Sequence, residues 1–588
     1  MNTVSPVEAP INHSSRPRGR GQPSKQTREC TVTINRALAQ ALAGGLELPS
    51  DETLAAQLQL SARTVRTIRL KTLGLNHREL RHWRQSARPV SPVSKTGERQ
   101  LVCSTPFAGL WLLVPQLIDS GLVQAAAQLK RLGRTRVLPT QIVLTLVVWA
   151  TLSFQRLMHL DDHRHWADLG LALFTGALHL WSDTTVWRWV HGLTPESARE
   201  FYDRTAGAVT HASGSHGRFS LDEHVVPSFS KRKPRALGKT RVPTRGRSYP
   251  AFRLYVPFDL DTGRFLGLIV THAHKTLAQM GGALRAELRR LRRVAGLAQP
   301  EVVRLIMDRG AYKGTWFETL LDDPQVSFIA MARATQVNVR QWKALPERLF
   351  RPYHPQGDDN PNLKIARGTT QIKSCRHPVP SIVIRDETPA TRQPWRVLFY
   401  KNAPGTQPHA ETLDAEYRQR QHHERGYAQY VHALAGHSLP KAYEMIRTPN
   451  AQGQKRTTIA TAETDQSHRE VQWVAWIKCL AFDLIHDFGA AVGRPQAKQL
   501  VGTLVRRYIL RPGRLYLHAG QLIVQLDPFR GDEALRPYLQ QLNARRLSIP
   551  WVGNLVLQVE IAAQPEGLAA TPQIVGQRIL ANSDAAAP

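Results

Sequence analysis

Cysteine is scarce in this chain: the 588 residues contain four, at positions 30, 103, 375 and 479. They lie far apart and form no paired-thiol motif. That argues against a disulfide framework and a cysteine-type zinc site, and it fits a reducing compartment. A signal-like start is missing too, because MNTVSPVEAPINHSS has no apolar core of the kind a secretory leader needs. Long hydrophobic runs are absent. The greasiest segment, QIVLTLVVWATLSF (141–154), falls short of the ~20 residues that span a bilayer and reads as a buried helix. A cytoplasmic protein with no membrane partner is expected.

Negative charge is also in short supply. Asp and Glu total 46 against 78 for Lys and Arg, a net charge of +32. A field of that sign and size attracts polyanions, of which nucleic acid is the commonest large one in a cell. The basic residues run along the whole length, as for a surface that meets a long partner. The apolar share of 42% is ordinary for a globular protein. The length exceeds what one growing core accommodates, so roughly two to four domains are expected.

Residues 1–45 read as a flexible basic arm carrying Arg16, Arg18, Arg20, Lys25 and Arg28. Residues 46–85 read as a helix-turn-helix. Ser50 can cap a helix with Leu54, Ala55 and Leu58 on one face, and Ser61 a second with Val65 and Ile68 inward. On that second helix Arg63, Arg66 and Thr67 share the outward face, which is the face such a motif presents to the major groove. An α-helical domain is expected over 100–210, where apolar residues recur at helical spacing. Within it, HLDDHRHW sets His159 and His163 four apart. The zincin arrangement needs Glu after the first His, and Leu160 stands there, so an ordinary polar helix end is expected.

The period then changes. FSLDEHVVPSF (219–229), FRLYVPFDLD (252–261) and RFLGLIVTHA (264–273) read as strands, the last two joined by a turn at Asp261-Thr262-Gly263. A helix over 276–296, the strand VVRLIMD (302–308), a helix over 315–322 and the strand SFIAMAR (327–333) follow. The order is three strands, helix, strand, helix, strand: an α/β unit with a mixed sheet over 215–335. Asp222 sits in its first strand and Asp308 ends the fourth. Glu223 should face away from Asp222, since neighbouring strand residues point to opposite sides. Asp259 and Asp261 belong to the hairpin turn and read as structural. Between the first two strands lies a dense basic loop with Lys231, Arg232, Lys233 and Arg235, suited to phosphate-backbone contact. A β-rich insertion is expected over 336–410, the second part of the core over 411–495, and a C-terminal α/β extension and tail over 496–588.

In the second part stands YRQRQHHERGYAQYV (417–431). Offsets of three and seven residues bring Tyr417, Arg420 and Glu424 within about 60° on one face of a helix. A stacking ring, a phosphate-binding guanidinium and an acid would be presented together.

The strand order, with an acid on the first and fourth strands, resembles the RNase H-like fold of DDE nucleases and transposases. Asp222 and Asp308 resemble the first two acids of the transposases of IS4-type insertion sequences. Those carry Y-x2-R-x3-E-x6-K around the third acid, and Tyr417, Arg420 and Glu424 match it, with Val431 in place of the lysine. The resemblance covers roughly 104–560. It implies that the first and fourth strands lie side by side and that Asp222, Asp308 and Glu424 are catalytic residues holding two divalent cations, Mg²⁺ or Mn²⁺. Phosphodiester chemistry uses two such ions about 4 Å apart, bound through hard oxygen ligands. It implies further a magnesium-dependent transposase that cuts DNA at element ends and joins the 3′-hydroxyl to target DNA. The partners would be terminal inverted repeats and target DNA in the bacterial nucleoid, met by a homodimer or a larger assembly. Two alternatives stand beside it: a nuclease without strand transfer, and an inactivated transposase that only binds DNA, which Val431 favours.

Overall fold

The computed structural model describes residues 51–73, 99–131, 137–214, 217–227, 239–242, 246–273, 275–355, 360–389, 391, 393–436, 439, 446–449, 455–458 and 461–563. The expected basic arm and the loop carrying Lys231, Arg232, Lys233 and Arg235 lie outside the described residues.

Two short helices, α1 (Asp51–Leu58) and α2 (Ala62–Leu73), come first. Leu54 of α1 and Val65 of α2 are fully buried. The Ser61 hydroxyl accepts the Thr64 N–H at 3.1 Å, satisfying one of the free donors at the start of α2. Strand β1 (Gln100–Thr105) follows, and every regular element described from Ala108 to Ser213 is helical. Among these is α3 (Pro139–Thr151), which starts on proline and buries every residue from Ile142 to Thr151. A helix that is apolar all round belongs inside a protein. The last is α4 (Pro195–Ser213), capped by Thr194. His159 lies in a 3-10 turn over Leu157–Asp161 and His163 opens the next helix, so the two are not on one helical face.

The central sheet has ten strands. Strand β2 (Arg218–Pro227) pairs on one side with β3 (Arg247–Asp259), antiparallel. Two short strands share the outer edge of β3: Lys239–Val242, and β4 (Ile269–His272). Asp259 is fully buried and turns the chain between β3 and β4, its carboxylate accepting the Asp261 N–H and the Thr262 hydroxyl. Helix α5 (Leu277–Val294), with a capping box at Thr276 and Gln279, leads to β5 (Val303–Met307). Helix α6 (Gly314–Asp322) leads to β6 (Val326–Met331). Strand β5 lies parallel to both β2 and β6.

The β-rich stretch continues this same sheet. Strands β7 (Leu363–Thr370), β8 (Val379–Asp386) and β9 (Trp395–Lys401) form an antiparallel meander, and β9 pairs with the free edge of β6. Helices α7 (Ala410–Arg418) and α8 (Arg420–Ala433) then return across the sheet.

The 32-residue helix α9 (Thr461–Val492) runs through the interior, almost wholly buried from Val471 to Ile485. The Trp476 indole donates to the Thr205 hydroxyl on α4 at 2.8 Å. A second sheet closes the molecule. Its order is β1, β10 (Gly513–His518), β11 (Gln521–Leu526), β12 (Leu555–Ile561) and a short strand over Ser548–Ile549. Helix α10 (Arg536–Ala544) comes between β11 and that short strand. The strand that opens the helical region therefore pairs with the C-terminal segment. The architecture is α/β with two mixed sheets. No described helix is long and apolar enough to cross a membrane.

Candidate active site

The parallel register of β2 and β5 decides where the two aspartates meet. Its last pair is Leu221 with Met307, so Asp222 and Asp308 are the next residues on neighbouring strands. There β5 ends. Asp308 caps the 3-10 turn that follows, its Oδ1 accepting the Gly310 N–H at 2.6 Å. A Cβ at residue 310 would stand 2.8 Å from that oxygen, so only glycine leaves room for this cap. Strand β2 continues beside β3, where Asp222 lies opposite Val256.

Helix α8 brings the third acid. It lies against the face of β2 that carries Ser220 and Asp222. The His423 Nδ1 is 2.8 Å from the Ser220 hydroxyl oxygen. Its ring is stacked between Phe258, at 4.9 Å, and Tyr427, at 4.8 Å. Burial, helped by the charge of Arg420, keeps this imidazole far below its usual titration range, so it is neutral. Gly426 allows the close approach: a Cβ there would stand 3.0 Å from the Phe258 ring. The far end of α8 is held by a buried lysine on α9. Lys478 donates to the carbonyls of Leu434 and Ala435 at 3.1 and 2.5 Å and lies 3.7 Å over the Trp149 ring. Burial holds the Lys478 amine well below its ordinary range, and the two carbonyls at the end of α8 are the partners its nitrogen meets.

At the start of α8, Arg420 joins the acids. Its guanidinium donates to Asp222 Oδ2 at 2.8 Å and through its other nitrogen to Glu424. Arg420 and Asp222 are nearly enclosed, with side chains 13% and 16% exposed, whereas Glu424 is 52% exposed. Asp222 is pushed up to about 6, chiefly by burial and further by the charges of Asp308 and Glu424. Arg420 and the Glu223 N–H pull the other way. Like charges crowded in a poorly solvated place are a common mark of a functional site. Among the described residues, however, no group of three or more His, Cys, Asp or Glu side chains is placed to hold a metal ion. As arranged, the acids do not form an ion cage. The cation among them is Arg420.

Some expected residues have other roles. Tyr417 belongs to α7, because the helix breaks at Gln419, and its ring is 8% exposed. The surface expected to stack on a base is covered. Arg66 donates to the buried Asp51 at 3.0 Å, so it ties α2 to α1, while Arg63 and Thr67 are exposed and the Thr67 hydroxyl donates to the Arg63 carbonyl. Val431 is half-buried and packs against the core. Glu223 shares a face with Arg253 and Tyr255. Arg253 donates to both its oxygens at 2.7 Å.

Sequence reasoning missed Ser220, His423 and Lys478. Ser220 could have been found two residues before Asp222, on the same strand face. A lone lysine inside QWVAWIKCLAFDLI was a signal for Lys478. His423 was hidden among exposed neighbours.

No family model matches the chain, and no curated protein does. One similar solved structure is the piggyBac transposase in its synaptic complex with hairpin DNA. It is 11% identical, with 82% of this chain and 92% of that chain covered, at a TM-score of 0.34. A likeness that slight bears on neither fold nor function, and both rest on the chain's own residues.

Proposed function

We propose that this chain is a DDE transposase of the IS4-type group with an RNase H-like core and an N-terminal helix-turn-helix. The observation that carries the reading is one of register. Asp222 and Asp308 follow the last pair of two neighbouring parallel strands, and Arg420 links Asp222 to Glu424. An acid cluster with a guanidinium in a chain of net charge +32 suits a polyanion whose backbone must be cut. In the proposed reaction, water hydrolyses one strand at an element end and leaves a 3′-hydroxyl. That hydroxyl then attacks a phosphodiester of target DNA, so each step forms one P–O bond and breaks another. Arg63, Thr67 and the basic loop at Lys231, Arg232, Lys233 and Arg235 would contact DNA, with a dimer or larger assembly holding two ends. The reading includes two divalent cations, Mg²⁺ or Mn²⁺, for which the acids must rearrange around Arg420.

Cleavage and joining of a labelled duplex bearing the inverted repeats that flank the gene, with Mg²⁺, tests the reading. Wild type should give cut and joined product and Glu424→Gln neither. Equal product from both would sink the assignment, and cut product alone would indicate a nuclease without strand transfer. Val431, packed against the core where the family's lysine would reach DNA, is the observation favouring a non-enzymatic DNA-binding protein. On that reading the acids could be neutralised without changing DNA binding.

A further inference from the structure

The acids that should bind divalent ions are instead bridged by a side chain of the same protein. We propose that Arg420 is a tethered counter-ion, which keeps Asp222 and Glu424 closed to a divalent cation until a DNA phosphate draws its guanidinium away. The inference rests on the proposed function and adds a coupling to it: backbone binding opens the metal site.

The geometry gives each part. One guanidinium nitrogen is on Asp222 at 2.8 Å and another is on Glu424, so a single group occupies the space between strand acid and helix acid. A carboxylate oxygen directed at a guanidinium is not free to complete an ion's oxygen shell, and no three acids among the described residues are placed to do so. The exit is also defined. Arg420 is the first residue of α8, and Glu424, one turn along, is the exposed member of the pair. The guanidinium can therefore leave past Glu424 by rotating about its own side chain, with α8 still fixed by His423 and Lys478. What draws it out must match its planar fork with two anionic oxygens, and a phosphodiester does. Coupling of this kind is reciprocal. The factor by which DNA tightens metal binding is the factor by which metal tightens DNA binding.

The test is Mn²⁺ binding to the full chain, followed by the loss of the free-ion electron spin resonance signal. It is run with and without a short duplex of arbitrary sequence, with the duplex alone subtracted. For wild type, the duplex should tighten Mn²⁺ binding by about tenfold or more, within the range of ordinary site coupling. Arg420→Gln should bind Mn²⁺ tightly without DNA and gain less than about twofold from the duplex, because the residue that couples the sites is gone. Wild type binding Mn²⁺ equally well with and without duplex would overturn the proposal, and that arm needs no variant to fold. So would Arg420→Gln gaining as much from the duplex as wild type does. Adding Asp222→Asn to Arg420→Gln separates the two readings. If Mn²⁺ binding disappears while the duplex has no effect on wild type, the acids bind the ion and only the gate is wrong. If Mn²⁺ binding persists, the acid assignment itself fails, and the gate with it.

Discussion

In the C-terminal part of the molecule Arg511 donates through both terminal nitrogens to Asp532, at 2.7 Å each, and through Nε to the Asp527 carbonyl. Asp532 also accepts the Phe529 N–H. Both side chains are buried and every charge has its partner. In the core, Arg420 is nearly enclosed, but it is divided between Asp222 and Glu424, and Asp308 adds its charge to theirs. Burial and an arginine are common to both places. The difference is the surplus of like charge, which a structural pair has no reason to keep and a site awaiting a cation or a phosphate does.

The largest expected effect breaks this comparison on the functional side. Glu424→Gln should reduce strand cleavage by roughly 10³-fold or more, the scale seen when a member of a catalytic set is removed. Because Glu424 is half exposed, the thermal midpoint should hardly move. Arg511→Met should do the reverse. Leaving Asp532 buried without its partner costs about 3 to 5 kcal/mol, read by urea denaturation, and Arg511→Met with Asp532→Leu should recover most of it. If instead Arg511→Met left stability unchanged, the contrast between a closed pair and a crowded one would be lost.

A smaller effect concerns Asp222. The folded state holds its proton more tightly than the unfolded chain does, titrating near 6 against 3.8. This group's contribution to stability is therefore fully present below pH ~4 and is lost as pH rises through about 6. At neutral pH the buried charge costs about 3 kcal/mol at most. Asp222→Asn should thus melt a few degrees above wild type at pH 7.5, measured without divalent ions, and the gap should close on acidification toward pH 4.5. A gain in stability at a residue whose loss stops cleavage would mark the charge as kept for function.

How far the sequence reveals this depends on the range of the signals. The mixed α/β character, the strands bearing Asp222 and Asp308, and the Asp259 turn were readable because periods of two and 3.6 and turn residues act locally. The spacing of Tyr417, Arg420 and Glu424 was also readable. The break at Gln419 and the burial of Tyr417 were not, because both depend on how α7 packs on the sheet. The pairing of β1 with β10 is non-local, and no local pattern could have joined them. Nor could a sequence show that the β-rich stretch extends the core sheet through β6 and β9.

The smallest effect tests what aligns the two halves of the site. Ser220 and Asp222 share one face of β2, and His423 and Glu424 are adjacent on α8, so the Ser220–His423 hydrogen bond fixes the helix acid relative to the strand acid. Ser220→Ala would leave a buried imidazole nitrogen without a partner, at about 1 to 3 kcal/mol. The other ring nitrogen already has no partner among the described residues, so the ring cannot compensate by turning over. Replacing both groups removes the unmet polar atom. Ser220→Ala with His423→Phe should keep the stack on Phe258 and Tyr427 and return close to wild-type stability. Denaturation of the two single variants and the double would then show a favourable coupling between the sites. If the double variant also binds Mn²⁺ in the presence of the duplex as wild type does, packing alone aligns the helix. If stability returns while Mn²⁺ binding stays weak, the hydrogen bond sets the position of Glu424, a distinction with no counterpart at Arg511 and Asp532, where both charges are already met.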